Sequence, residues 1–520
     1  MNRAVDGHRR LIERLRDPAC WPDEVGPDLV IETHISTVLL VGRFAYKIKK
    51  PLNLGFLDFS TLTLRHHFCE EEIRLNGRLA PDVYLDVVPI SGTHDAPRLF
   101  GKGRAIEYAV RMRRFDQAGL LSEHLDRVTP MVINRLAERL AAFHTAIDTA
   151  DSGTEYGDPG RVPLPMRENF IQIRALIQDR TVLSLLEQLA DWTERRFEQL
   201  EPLLRERKLG GFIRECHGDL HLGNIALEGD DLLIFDGIEF NPALRWIDVI
   251  SELAFLLMDL DEKGLQALSQ RLLNRYLELS GDYTALPLLR FYQVYRAMVR
   301  AKVTAIRLAQ GDLLPAEHAR LDAEFNAYLQ LARRYTASGS GGVIITHGFS
   351  GSGKSTGTLT CLEQLSAVRV RSDVERRRLA GIAADQASHS VTDGGIYQVD
   401  FSRRTYARLE QLAGTIAESG WVAIVDATFL RRDQRQRFQQ RAEALQIPFL
   451  ILDFRLPEAQ LRQRIAKRQR QGTDPSEATL AVLEKQLETA QPLTVDELKQ
   501  TLSVESDHLP MDEIRARLKR

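Results

Sequence analysis

Apolar residues recur along this chain with two different periods, and the changes of period outline its elements. The segment from Thr37 to Lys49, TVLLVG and then FAYKIK, alternates with period two and predicts a hairpin. A helical pattern follows from Leu62 to Leu79, with further strands predicted near Val83 to Pro89 and Ala105 to Met112. From Pro130 to Ala146, and again from Trp246 to about Arg334, the period is helical. This first part therefore reads as a sheet-rich lobe followed by a helical lobe. A Gly/Ser run, TASGSGG from Thr336 to Gly342, interrupts the pattern and reads as a joint. Beyond it VIIT, AVRV, WVAIVD and PFLILDF are short apolar runs separated by helical segments, the pattern of a parallel sheet in an α/β domain. The tail after Glu505 is charged and helical, and no internal repeat relates the two halves. The expectation is a two-domain α/β and α+β chain: residues 1–335, a linker at 336–342, a second domain at 343–505 and a tail at 506–520.

Composition supports that division. A chain of 520 residues exceeds what one hydrophobic core usually supports, and 44% hydrophobic with 27% charged residues excludes wholesale disorder and a fibrous class. A net charge of -3 supplies no global field for nucleic acid or an anionic membrane. Cys20, Cys69, Cys216 and Cys361 are far apart, with no Cys/His cluster to suggest zinc, and read as reduced core thiols. The N-terminal MNRAVDGHRRLIERL lacks the apolar core of a signal peptide, and the most apolar stretch, Leu253 to Met258, is far short of the ~20 residues that span a bilayer. A cytoplasmic location without membrane contact is expected.

Gly348 to Ser355, GFSGSGKS, matches GxxxxGK(S/T) where a strand ends and a helix begins. Gly348, Gly351 and Gly353, with Ser350 and Ser352, let successive backbone N–H groups converge on phosphate oxygens at a helix N-terminus that favours anions. Lys354 is placed to reach the β- and γ-phosphates, Ser355 to offer its hydroxyl to magnesium, and Thr356 to add a phosphate contact. A kinase also needs a carboxylate that accepts the acceptor's proton. Asp373, just beyond the strand AVRV, is the candidate, with an N-cap role as its rival. Asp426 ends WVAIVD as a magnesium-side carboxylate would, holding the ion through water or orienting Lys354. Arg464 and Arg468, in LRQRIAKRQRQG, share a helix face suited to a lid over the transferring group, against the alternative of a solvated face. These motifs, from Gly342 to about Glu505, resemble the P-loop kinases that include polynucleotide 5′-kinases, gluconate kinases and chloramphenicol phosphotransferase. Arg376, three residues after Asp373, matches the substrate-phosphate arginine of polynucleotide kinases.

Upstream, His217 to Asn224 reads HGDLHLGN, and the strand DLLIF ends in Asp236 twelve residues later. An Asp and an Asn on one loop, with another Asp after the following hairpin, can converge on a hydroxyl and on magnesium. The motif resembles the HGDxHxxN signature of the aminoglycoside phosphotransferase family, over roughly Ile31 to Gln310. That resemblance implies a bilobal protein-kinase-like fold, Asp219 as the base, Asn224 and Asp236 as magnesium ligands, and His217 and His221 as residues that shape the loop. It also requires a lysine for the α- and β-phosphates and a helix glutamate to hold it. Lys47 in FAYK and Glu72 in CEEEIRLNGRL fit, with Lys49, on the same strand face, and Glu71 as alternatives. Adenine would lie near Met112 to Phe115. THIST, Thr33 to Thr37, stands where a Gly-rich loop would cover the phosphates. Asp248 and Glu252 read as structural support, and Arg296, Arg300 and Arg307 as an anion-binding stripe or a paired helix face.

The whole resembles a fusion of an aminoglycoside phosphotransferase-like domain with an AAA-type P-loop kinase. The function expected is ATP-dependent phosphorylation of hydroxyl groups on small molecules by both domains, with Mg²⁺, and with GTP as the alternative nucleotide. A nucleic-acid 5′-hydroxyl kinase in the C-terminal domain, or a regulatory ATP-binding protein with one non-catalytic domain, are the rival readings.

Overall fold

The computed structural model describes residues 2–519, with the exception of 24, 56, 311–312, 338, 384–398, 472–478 and 505–508. By the density of its contacts the chain divides into two units. The first comprises Met1–Val128, Ala146–Leu164 and Glu201–Asp259; the second comprises Thr129–Thr145, Pro165–Leu200 and Leu260–Arg520. The Gly/Ser run thus lies inside the second unit.

In the first unit, β1 (Leu29–Glu32), β2 (Ser36–Val41), β3 (Phe44–Lys49), β4 (Tyr84–Thr93), β5 (Ala96–Leu99) and β6 (Ala105–Arg113) form an antiparallel sheet in the order β1-β2-β3-β6-β4-β5. The alternation read at Thr37–Lys49 is the β2–β3 hairpin, in which Leu39, Tyr46 and Ile48 are buried beneath Leu11, Leu15 and Trp21 of the N-terminal segment. Helix Leu62–Asn76 starts at Thr61, whose hydroxyl accepts from Leu64 N. Two small ladders complete the unit: β7 (Ile213–Glu215) pairs with β10 (Trp246–Asp248), while β8 (Ile225–Glu228) and β9 (Asp231–Ile234) form a hairpin. Trp246–Asp248 is therefore a strand where the periodicity predicted a helix. The helix begins only at Val249, after Arg207 and the Ile250 amide have taken the Asp248 carboxylate.

In the second unit, β11 (Gly342–His347), β12 (Ala367–Arg371), β13 (Val422–Asp426), β14 (Phe449–Phe454) and β15 (Thr501–Val504) form a parallel sheet in the order β12-β13-β11-β14-β15. The four apolar runs are strands β11 to β14; β15 was not foreseen, being only four residues long. The charged tail carries helix Met511–Leu518, whose Ile514 and Leu518 are buried in the same core as Ile344 and Leu450. The arginine stripe is a paired helix face: Arg296 is buried, Arg300 donates to the Tyr328 hydroxyl at 3.2 Å, and Arg307 lies 3.1 Å from Glu317. Cys69, Cys216 and Cys361 are buried thiols outside any disulfide, and Cys20 is half-buried. Among the described residues no helix is long and apolar enough to cross a membrane.

Candidate active sites

Period two puts Lys47 and Lys49 of β3 on one face, and both ammonium groups reach the same buried carboxylate. Lys47 Nζ is 2.8 Å from Glu72 Oε1 and 2.6 Å from Asp236 Oδ1. Lys49 Nζ is 2.7 Å from Glu72 Oε2 and also pairs with Glu239. Burial by itself would raise the Glu72 pKa, but the two ammonium groups override it and hold the carboxyl below the usual carboxylate range. Burial likewise opposes the charge on Lys47, yet Asp236 and Glu72 push its pKa well above the ordinary lysine value. Glu71 is drawn away by Arg74 and Arg245. Only Lys47 of the two lysines meets Asp236, and only Glu72 of the two glutamates meets Lys47.

The loop bearing Asp219 is held by its backbone. Gly218 N donates to Glu252 Oε1 at 2.7 Å and Leu222 N to Asp259 Oδ2 at 2.8 Å, both carboxylates on helix Val249–Glu262. Gly218 has φ +89°, and a Cβ there would lie 2.9 Å from Leu244 O. His217 Nδ1 accepts from Asp219 N, so Nε2 carries the proton that it donates to Phe235 O at 2.9 Å. His221 Nδ1 accepts from Gly223 N, leaving Nε2 as the donor 3.4 Å from Asp219 Oδ2. Asn224 Nδ2 donates to both the carbonyl and the carboxylate of Asp219, at 2.9 and 3.2 Å. Phe235 N in turn donates to Asn224 O, so the β8–β9 hairpin brings Asp236 beside the loop. Asp236 has φ +62°, a left-handed conformation that costs a non-glycine residue energy. It is over-determined by the Tyr84 hydroxyl on its own N–H and by Asn76 Oδ1 on the next one. Asn224 and Asp236 offer oxygen ligands only, that of Asp236 on a half-exposed carboxylate, a donor set that fits a hard cation such as Mg²⁺. Bound there, the ion would neutralise charge on phosphate oxygens. Of the THIST residues, the Thr33 hydroxyl donates to Ser36 O and that of Thr37 to Glu32, so both are engaged where β1 turns into β2.

Asp248 serves the same unit differently from Glu252. Arg207 and Asp248 form a buried two-point pair at 2.6 and 2.8 Å. Asp248→Ala removes the carboxylate facing a buried guanidinium and should cost about 3–5 kcal/mol. Denaturant unfolding of the full chain checks this; a cost of about 1 kcal/mol or less, as for an exposed pair, would contradict it.

In the second unit the loop after β11 carries three glycines at positive φ: Gly348 at +140°, Gly351 at +83° and Gly353 at +94°. A Cβ on Gly348 would stand 2.6 Å from Phe454 O. Lys354 opens helix Lys354–Gln364, its Nζ donating to Gly348 O and Phe349 O at 3.0 and 2.7 Å, while Ser355 and Thr356 are exposed. Ser350 is held from outside the loop, for its N–H and hydroxyl both bond the Gln486 side chain, at 2.9 and 3.0 Å. Asp426 ends β13 in register with Arg371 of β12. Its buried Oδ2 accepts no hydrogen bond, which fits a cation-side carboxylate. Asp373 lies in the first turn of helix Ser372–Leu379, whose N-cap is Arg371 without a side-chain cap bond. The rival N-cap role for Asp373 is thus not what the helix shows. Arg376 donates to the Ser402 hydroxyl at 3.0 Å.

A cavity of about 240 Å³ opens beside the loop, lined among others by Ser352, Gly353, Gly357, Phe454 and Arg464. Arg462 instead pairs with Glu458 and Glu484. The Arg468 side chain lies outside the described residues, so only Arg464 of the expected lid pair can be located. Sequence reasoning missed Glu239, Tyr84, Asn76, Asp259 and Gln486. Each acts on a motif residue, or its neighbour, at least 37 positions away, from a side chain with no motif of its own.

A family model described as "Phosphotransferase enzyme family" matches residues 65–292, and one described as "AAA domain" matches residues 343–493. An uncharacterized protein of Mycobacterium tuberculosis is 29% identical over 428 residues, 82% of this chain and 83% of its own length. Among solved structures, a gluconokinase from Sinorhizobium meliloti is 21% identical, covering 35% of this chain and 91% of its own, with a TM-score of 0.24. A Plasmodium vivax ethanolamine kinase is 11% identical, covering 60% and 82%, with a TM-score of 0.38. Neither likeness bears on the chemistry of the sites. The chain joins a domain of the phosphotransferase enzyme family, over residues 65–292, to a P-loop domain of the AAA type, over residues 343–493.

Proposed function

We propose that both domains transfer phosphate from ATP, with Mg²⁺, to hydroxyl groups of small molecules. The observation that carries this reading is Lys47 of β3, paired at once with Glu72 and with Asp236, which the β8–β9 hairpin brings beside the loop that presents Asp219 and Asn224. A lysine anchored by a helix carboxylate can hold α- and β-phosphates, and a loop carboxylate can take the acceptor's proton. In the second domain Lys354, Ser355 and the backbone amides would hold the phosphates, Asp426 would face the cation, and Asp373 would be the base. Arg464 is placed at the cavity beside the loop, where a base or ribose could lie.

Screening hydroxyl compounds and 5′-hydroxyl oligonucleotides for ATP-dependent phosphorylation, with each site inactivated in turn, tests the reading. Lys354→Ala should abolish nucleotide binding at the second site and leave that of the first nearly intact. Titration of nucleotide should then show one site in place of two. Loss of both sites together, or of neither, would refute two independent sites.

A further inference from the structure

β12 is an edge strand of the parallel sheet, so one row of its backbone groups has no neighbouring strand. Helix Gln266–Ser280, which precedes the Gly/Ser run by more than fifty residues, covers that edge. Asn274 acts as a single rung of a missing strand: its Nδ2 donates to Ala367 O at 3.0 Å and its Oδ1 accepts from Arg369 N at 2.7 Å. Arg271 on the same helix reaches Glu363 of helix Lys354–Gln364 at 2.7 Å. One turn beyond Asn274, the buried carboxylate of Glu278 faces three guanidinium groups. They are Arg275 at 3.0 Å, Arg371 at 3.5 Å and Arg369 at 3.8 Å. Arg378 donates to the Glu278 carbonyl at 2.5 Å, which ties the same turn to helix Ser372–Leu379.

Arg371 stands between two acids. Its Nη1 is 3.5 Å from Glu278 and its Nε is 3.9 Å from Asp426 Oδ2, the buried oxygen that accepts no hydrogen bond. A guanidinium that closed on Asp426 would neutralise the carboxylate and compete with any cation there. We propose that Glu278, from the segment before the Gly/Ser run, is a positioning residue for the P-loop site: it draws Arg371 away from Asp426 and keeps that carboxylate open to a divalent cation. The inference rests on the reading of Asp426 as a cation-side carboxylate. It makes the second site dependent on sequence outside residues 343–505.

The test uses the full chain with the first site silenced by Lys47→Met and Asp236→Asn, and measures binding. Displacement of a fluorescent nucleotide by ATP is followed as a function of free Mg²⁺. In this parent, Mg²⁺ should strengthen ATP binding at one site that Lys354→Ala removes. Glu278→Gln should raise the Mg²⁺ concentration required on the order of tenfold, the usual scale for groups that orient metal ligands. Arg371→Gln should leave the requirement unchanged or lower it, and the Glu278→Gln, Arg371→Gln pair should behave as Arg371→Gln alone. That rescue separates positioning from a loss of packing, and Arg371→Gln alone still tests the competition should Glu278→Gln fail to fold. An unshifted Mg²⁺ requirement in a folded Glu278→Gln, no rescue in the pair, or a weakened Mg²⁺ response in Arg371→Gln would overturn the inference while leaving the nucleotide site standing. A parent with no Lys354-dependent site would overturn the P-loop reading, and this inference with it.

Discussion

Asp219→Asn is expected to lower phosphoryl transfer by the first site ~10²–10⁴-fold while changing its ATP affinity by no more than a few-fold. The substitution is nearly isosteric. The amide that replaces the carboxylate keeps a side-chain oxygen for Asn224 Nδ2, and the backbone carbonyl at this position still accepts the other bond from that group. The loop stays fixed, because Gly218 and Leu222 are tied to Glu252 and Asp259 through their own amides. What disappears is the group able to take a proton from an acceptor hydroxyl. The nucleotide-side residues Lys47, Glu72 and Asp236 are untouched, so binding should persist. Single-turnover transfer to an acceptor found by the screen, beside nucleotide titration, gives both numbers. Undiminished turnover would remove Asp219 from the chemistry.

Asp373→Asn should lower transfer by the second site ~10²-fold or more with ATP binding retained, because Lys354, Ser355 and the glycine-rich loop are unchanged. A rival explanation, loss of a helix cap, is separable here. Arg371 holds the N-cap position of helix Ser372–Leu379, and Asp373 stands inside its first turn. Its charge then contributes to stability only through the helix dipole, about 0.3–1 kcal/mol at a first turn. Asn and Ala variants should therefore melt alike, slightly below the parent, and both should be defective in transfer. Matching small losses of stability with full transfer would reduce Asp373 to a dipole partner.

The chemistry-bearing motifs were legible because each is contiguous. GFSGSGKS is a loop whose glycines are needed where they stand, at positive φ, and HGDLHLGN is one turn of chain that brings its own Asp and Asn together. The hairpin at Thr37–Lys49 and the apolar runs β11 to β14 were legible for a similar reason, since burial of alternate or consecutive residues writes its period directly into the sequence. β10 escaped because three residues are too few to establish a period, and their pairing with β7 joins positions about thirty or more apart.

The sequence by itself determined the β2–β3 hairpin, the strands β11 to β14, the two phosphate-type motifs and the shortlist of lysines and carboxylates around them. It could not separate Lys47 from Lys49, because both lie on one face of β3, nor Glu71 from Glu72, which are adjacent on one helix. Only the tertiary structure decided that Lys47 meets Asp236, that Lys49 meets Glu239, and that Arg74 and Arg245 take Glu71. It likewise decided that Asn274 and Glu278 adjoin β12, about ninety positions further along the chain. The reason is physical. A backbone period records which side of an element is buried, whereas the identity of an ion-pair partner depends on which distant chain is folded against that side.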